Sequence, residues 1–233
     1  MRYAIKFLSI MCFIVIHSSR ADSNFDFYLT PSWDSHYVTQ GGNNLDSGGL
    51  LSLDLALSKS DFEIGLWLAR GDSQDYKEIN LYAGYGFSIY SLEAYLNFTH
   101  LIFPEEAKNQ DQDNEIGFGI SYSSYQWLQP SLDYIWGSEA KGGYIELSLR
   151  SDLIASESRY QITPYMLRAY DFGYVSEDHD ELNHTEVGFE VSALVAADTS
   201  IELGLHHSWA GRNLKRDDLD DVSWVNIGLS AEF

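Results

Sequence analysis

The chain has 233 residues, of which 45% are hydrophobic and 15% aromatic, and its formal net charge is −21. This apolar and aromatic content excludes a disordered chain and suffices for one folded domain. The negative charge argues against a nucleic-acid partner, because neutralising phosphates requires clustered lysine and arginine.

The first residues have the pattern of an export signal. Arg2 and Lys6 precede a short apolar run, and Ala21 ends a stretch of small residues. This order predicts a secretory signal peptide over residues 1–21 and a mature domain over residues 22–233. The apolar run is shorter than the roughly 20 residues of a membrane-spanning helix, so an uncleaved anchor is the less favoured alternative.

From residue 25 onward, apolar and polar residues alternate with the period of a β-strand. In the second segment, for example, Leu53 and Leu55 lie on one face and Ser52 and Asp54 on the other. We predict twelve strands, within residues 25–38, 51–58, 62–68, 78–87, 92–98, 115–122, 128–136, 145–150, 160–166, 186–193, 201–206 and 225–233.

The connections between these segments alternate in length. Short turns follow the even-numbered segments at residues 58–61, 88–91, 123–126 and 197–200, although 151–159 is longer. Longer polar loops follow odd-numbered segments at residues 39–48, 70–77, 104–114, 171–183 and 211–223. Such alternation is typical of barrels with periplasmic turns and extracellular loops. We therefore predict an all-β, transmembrane, antiparallel up-and-down barrel of about 12 strands in a Gram-negative outer membrane; a soluble sandwich is the alternative.

Two further features fit a barrel in lipid. Phe233 places a terminal aromatic on the apolar face, which resembles the signal read by outer-membrane assembly machinery. Aromatic residues near predicted strand ends are candidates for interfacial belts, namely Trp33, Tyr37, Trp127, Tyr134, Trp136 and Trp209. Cys12, the only cysteine, lies in the predicted signal, so no disulfide is expected in the mature domain.

Several stretches of the first half carry a family resemblance. Residues 35–41 (SHYVTQG), the Gly48–Gly49 pair, Trp67 and residues 78–85 (EINLYAGY) resemble the opening strands of TorF-like porins, outer-membrane β-barrels of proteobacteria. The resemblance implies a location and a fold rather than a particular solute.

The polar face of the strands is the candidate functional surface. Alternation places these residues on it as predicted pore-lining side chains: Asp26, Asp34, Asp54, Glu63, Glu78, Glu93, Glu115, Asp133, Glu146, Arg150, Glu186, Glu190 and Glu202. Arg168 is the other candidate cation on this face. Rings of carboxylates favour cations, and twelve strands leave a narrow interior, so we predict a cation-preferring porin for small solutes. A plugged, non-conducting structural or adhesin barrel is the alternative.

A membrane enzyme is a weaker alternative. His206 and Ser208 share the polar face with Glu202, and outer-membrane lipid hydrolases use a His–Ser pair on a barrel strand. That face is the predicted lumen, however, whereas lipid substrates approach from outside. We therefore expect a protein that is not an enzyme.

The remaining expectations concern ligands and partners. Asp178, His179, Asp180 and His184 form a weak candidate metal site, for which a solvated acidic loop is the favoured interpretation. No cofactor is predicted. The expected partners are outer-membrane lipid, lipopolysaccharide and the assembly machinery, with divalent cations bridging acidic loops such as 104–114 to lipopolysaccharide.

Overall fold

Long antiparallel strands form one sheet whose first and last members pair, so the sheet closes into a barrel of twelve strands. The computed structural model describes residues 25–104, 111–122, 127–154, 159–176 and 180–233. The predicted signal, residues 1–21, lies outside this part. The barrel strands are β1 (Asp26–Asp34), β4 (Leu50–Lys59), β5 (Phe62–Gly71), β6 (Lys77–Ile89), β7 (Leu92–Phe103), β8 (Asp111–Tyr122), β9 (Gln129–Gly137), β10 (Gly142–Arg150), β12 (Tyr160–Phe172), β13 (Asp180–Ala196), β14 (Thr199–Ala210) and β15 (Val222–Glu232).

Three short elements lie between the barrel strands. β2 (Val38–Thr39) and β3 (Gly42–Asn43) pair as a small hairpin, and β11 (Leu153–Ile154) pairs with the start of β12. The helix α1 (Arg212–Arg216) precedes β15. No helix in the described ranges is long and apolar enough to cross a membrane.

The barrel closes where β1 meets β15. The backbone N–H of Phe233 donates to the carbonyl of Phe27 at 2.9 Å, and the N–H of Phe27 donates back at 3.2 Å. Ser32 faces Gly228 farther along the same pair of strands. Every long strand therefore has two hydrogen-bonded neighbours, and the long unpaired edge that favours aggregation is removed.

The polarity of the barrel is inverted relative to a water-soluble protein. Outward-facing apolar side chains such as Leu81 and Leu203 are 47% and 51% exposed, whereas inward-facing Glu78 and Asn80 are 1% and 0% exposed. A closed barrel satisfies its backbone polar groups within the sheet, which lets its apolar outer face lie against lipid tails. Closure excludes the alternative of a two-layer sandwich.

The two ends of the barrel differ. Tight turns join strands at the turn end, as at Ser60 and Tyr90, which adopt positive φ angles of 56°. Longer connections lie at the opposite loop end, where residues 35–49 contain β2 and β3, and residues 211–221 contain α1. The alternation in connection length does not hold between β9 and β10, which are joined at the loop end by the short turn 138–141. The predicted turn 123–126 lies outside the described residues.

Candidate functional site: the barrel interior

The interior has two halves along the barrel axis, and the half near the loop end is filled. Polar side chains that point inward there are almost inaccessible to water, among them Glu78, Asn80, Thr99, Asp171, Asn183 and Ser208. Polar groups so deeply buried need protein partners, because their hydration has been lost.

Much of the filling comes from residues 35–49, here named the first loop. The hydroxyl of Tyr37 donates to Oε2 of Glu78 on β6 at 2.7 Å. At the tip of the loop, the carbonyl of Gly41 accepts a hydrogen bond from Oγ of Ser208 on β14 at 3.0 Å. Four strands, β5, β4, β1 and β15, separate β6 from β14 around the ring. The first loop therefore crosses the lumen from one wall to nearly the opposite one.

The tip of the first loop requires glycine. Gly41 has a φ of +77°, and a Cβ atom at this position would lie 2.2 Å from Cγ of His184. Both the left-handed backbone and the close approach exclude a larger side chain. The neighbouring Gly42 lies against Leu214 and Leu219 of the connection before β15.

An apolar cluster surrounds the base of the first loop. Tyr37 and Leu45 pack with Leu50, Leu101 and Phe103 inside the barrel. The prediction that Tyr37 belongs to a lipid-facing aromatic belt was wrong, because this side chain is only 5% exposed. β1 ends at Asp34, so the alternation of the strand no longer determines where Tyr37 points.

Two more connections help to close the loop end. The hydroxyl of Tyr174, which follows β12, donates to Glu115 on β8. Asp171 holds this connection in place by accepting the backbone N–H groups of Tyr174 and Val175 at 2.8 and 2.9 Å, and Nδ2 of Asn213 at 2.7 Å. The mouth is thus closed by three segments tied to different walls.

The half of the interior near the turn end is more accessible and remains acidic. The hydroxyl of Tyr82 donates to Asp54 at 2.9 Å, and Arg150 forms an ion pair with Glu190 at 2.6 Å. Glu63 and Glu202 are half-buried, and neither accepts a hydrogen bond from any described residue. This half of the interior is named the vestibule here, and Glu63 and Glu202 both lie in it.

The predicted pore-lining residues occupy inward-facing positions of the strands. Those buried in the filled half are Glu78, Glu115 and Glu186. The half-buried ones are Asp26, Asp34, Asp54, Glu63, Glu93, Asp133, Glu146, Arg150, Glu190 and Glu202. Whether they line a conducting pore remains a prediction. Arg168 instead points outward, with its guanidinium 6.0 Å from the ring centre of Tyr170, so its placement in the lumen was wrong.

The structure does not bring the candidate catalytic residues together. His206 is hydrogen-bonded through Nδ1 to the hydroxyl of Tyr165 at 2.6 Å and through Nε2 to Asn226 at 2.8 Å. Ser208 is fully buried and donates to the first loop. With both ring nitrogens engaged elsewhere, His206 is not placed to accept the proton of Ser208.

The candidate metal ligands are also apart, as far as the structure describes them. Asp178 and His179 lie outside the described residues. Asp180 is exposed at the start of β13, whereas His184 is buried in the lumen and hydrogen-bonded to Tyr144 and Asn183. Within the described ranges, no group of three or more metal-ligating side chains occurs.

Sequence reasoning missed the residues that fill the lumen, chiefly Tyr37, Gly41 and Tyr174. The adjacent glycines at positions 41 and 42 were the available signal, since they mark a tight hairpin tip. Nothing in the pattern indicated that the hairpin folds inward.

No family model and no curated protein matches the chain. Among solved structures, the KdgM porin has a TM-score of 0.61 at 9% identity, over 88% of this chain and 99% of that one. The NanC porin has a TM-score of 0.56 at 9% identity, over 88% of this chain and 98% of that one. LpxR from Salmonella typhimurium has a TM-score of 0.54 at 11% identity, over 88% of this chain and 99% of that one. A second KdgM porin structure, in complex with disordered oligogalacturonate, has a TM-score of 0.59 at 9% identity, over 89% of this chain and 99% of that one.

At these identities the comparisons show the fold alone, which is that of outer-membrane β-barrels. The narrower resemblance to TorF-like porins remains a prediction.

Proposed function

We propose that the chain is a porin-type channel of the outer membrane that prefers small cations. In the conformation described here, we propose that its first loop blocks the passage. The observation that carries the proposal is the acidic interior, in which Glu63 and Glu202 are half-buried and form no ion pair or hydrogen bond with another side chain of the described residues. The porin neighbours support a channel within this fold.

The charge of the interior sets the expected selectivity. Carboxylates lie on inward positions of strands around most of the ring, and the nearest answering cation, Arg150, is held by Glu190 at 2.6 Å. Carboxylates along a confined passage attract cations and repel anions, because protein walls of low dielectric constant focus their field.

The same charge argues against one solute of a structural neighbour. A KdgM porin structure holds disordered oligogalacturonate, which is a chain of acidic sugars. Such a polyanion would meet carboxylates on nearly every side of this lumen. We therefore propose small cationic or neutral solutes rather than acidic oligosaccharides.

The size of the barrel limits the solute further. Twelve strands lie between the eight-strand barrels, whose interiors are filled by side chains, and the 16-strand porins with their wide aqueous channels. The interior of this barrel also holds the first loop, so that even an opened form has a narrow passage.

The first loop is the proposed gate. Near its base, Tyr37 donates a hydrogen bond to Glu78 and apolar packing surrounds Leu45. At its tip, the carbonyl of Gly41 accepts a hydrogen bond from Ser208 on a nearly opposite wall. A hydrogen bond of this kind contributes only about 0.5–1.5 kcal/mol, so modest rearrangements are enough to release the tip.

A non-conducting structural barrel is the second candidate, and the filled half of the lumen is the observation that favours it. The lipid hydrolase is not favoured, because His206 and Ser208 have other partners.

Planar-bilayer recordings on the refolded mature chain test the proposal. Under a KCl gradient, we expect small conductance steps. The reversal potential should lie closer to the equilibrium potential of K⁺ than to that of Cl⁻. Glu63→Gln with Glu202→Gln should move the reversal potential toward zero, because two vestibule charges are lost.

The matched control is Asp61→Asn with Asp198→Asn, which removes two exposed charges from turns at the same end and should leave selectivity nearly unchanged. An absence of conductance in both the wild type and a variant lacking residues 38–45 would show that the barrel is structural instead.

A further inference from the structure

Two basic residues lie side by side on the outward face, near the loop end. Arg70 on β5 is directly opposite Lys77 on β6, and both side chains are exposed. Directly opposed residues have Cβ atoms about 4.5–5.5 Å apart, and like charges at that separation destabilise the pair. The pair therefore favours an anion held between its members.

The position of this pair relative to the apolar surface is defined by the register. On the same outward face, Leu68 is paired with Ile79. Arg70 and Lys77 form the next outward pair toward the loop end, two residues farther along each strand. Such a step is about 6.6–6.8 Å. The basic pair thus borders the apolar belt, at the level where lipid headgroups begin.

A tryptophan lies in the same row of the sheet. Register connects Lys77 to Arg70, Arg70 to Leu51, and Leu51 to Trp33 on β1. The indole N–H of Trp33 donates to Oδ2 of Asp72 at 2.9 Å. Tryptophan at this level is typical of a membrane–water interface.

Two acidic residues, Asp72 and Asp75, lie close to the pair. Lys77 contacts Asp75 at 3.6 Å, but both side chains are largely exposed, and such surface pairs contribute little. Arg70 has no ion pair with any residue in the described ranges. Asp72 stays ionised, because hydrogen bonds from Ser73, Trp33 and the N–H of Gly49 lower the pKa of its carboxyl, and its oxygens bind these donors rather than Arg70.

We propose that Arg70, Lys77 and Trp33 form a binding surface for the phosphorylated sugar headgroup of lipopolysaccharide. This inference rests on the proposed outer-membrane location, with the loop end facing outward. A guanidinium binds a phosphate through two parallel hydrogen bonds, an ammonium adds a point charge, and the acyl chains lie along Leu68 and Ile79. The occupant is thus an anionic glycolipid of the outer leaflet.

Titration of the refolded, detergent-solubilised mature chain with bisphosphorylated lipid A, followed by native mass spectrometry, tests this surface. A basic residue near an anionic lipid surface contributes roughly fivefold in affinity. Arg70→Gln with Lys77→Gln should therefore weaken lipid A binding by about 25-fold. The charge-preserving variant Arg70→Lys with Lys77→Arg should retain most of it.

The matched control is Lys59→Gln, which removes an exposed lysine from the turn end of β4 and should leave lipid A binding unchanged. Equal binding of lipid A by the wild type and the Arg70/Lys77 double Gln variant would overturn the inference. Equal binding of phosphatidylglycerol and lipid A would overturn the commitment to the glycolipid. If the wild type binds lipid A but never conducts, the proposed lipid A surface stands and the proposed channel function is wrong.

Discussion

Single residues hold the first loop inside the lumen. Tyr37 and Gly41 fix the first loop against opposite walls, yet neither was predicted to lie inside the barrel. Alternation indicates only which side of a strand a residue occupies, and both residues lie beyond the end of β1. Inward folding of a loop depends on distant partners such as His184 and Ser208, which a local pattern does not reveal.

The predicted residue-scale test is Gly41→Val. A β-branched side chain at φ +77° is strained by about 1–3 kcal/mol, and its Cβ would also meet His184. We expect the first loop to leave its site, with an increase in open-channel probability of about tenfold or more in planar bilayers.

Gly48→Val is the matched control, because Gly48 has the same φ of +77° in the same loop but is exposed and contacts Ser73 and Asp72 rather than the lumen wall. It should strain the protein without opening it. An increase in conductance equal to that of Gly41→Val would mean that general loop strain, not the contact with His184, controls the passage.

At the scale of elements, the sequence predicted the strands better than their ends. All twelve segments lie within barrel strands or overlap them, because each carries a full apolar stripe. The ninth segment, predicted over residues 160–166, is part of the 13-residue strand β12. Its lipid-facing residues include Arg168, and β13 carries an irregularity opposite Ala169 and Tyr170, so simple alternation fails there.

The pairing of β1 with β15 provides an element-scale test. A Cβ at Gly228 would lie 3.7 Å from Cβ of Ser32, within the separation of about 3.5–4.5 Å that a disulfide requires. Ser32→Cys with Gly228→Cys should therefore form a disulfide on oxidation, and non-reducing gels should show it. The chain-entropy model gives about 5 kcal/mol of added stability for so long a loop.

The control for this crosslink is Ser52→Cys with Gly228→Cys. Ser52 pairs with Ser32 from β4, so it lies two strand spacings from Gly228, about 9–10 Å away. No crosslink is expected in a folded barrel. Efficient oxidation of the control pair, or none of the Ser32 pair, would contradict the observed closure.

For the whole molecule, the inverted polarity is the property that the sequence predicted well. Period-2 alternation and an acidic polar face were sufficient for the barrel and for the inward position of the carboxylates. The filling of the lumen was beyond reach, because it arises from contacts between segments far apart in sequence, such as Tyr174 with Glu115.

Two adjacent residues of β14 test this polarity. Leu203 is 51% exposed on the outer face, whereas Glu202 points inward. Leu203→Arg should lower the free energy of unfolding in lipid vesicles by about 2–4 kcal/mol, because arginine is costly at mid-membrane. Glu202→Arg should change it far less. Urea titrations monitored by tryptophan fluorescence compare the two, and equal losses would mean that the outer face does not contact lipid.

The seam between Phe27 and Phe233 has a consequence for biogenesis. It joins the first and the last strand in the sequence, so the ring cannot close until β15 has been added. Until then the sheet has two unpaired edge strands and an apolar outer face that nothing covers, and both favour aggregation in water. From the order of the strands we therefore expect the chain to need shielding by another protein until the ring is sealed.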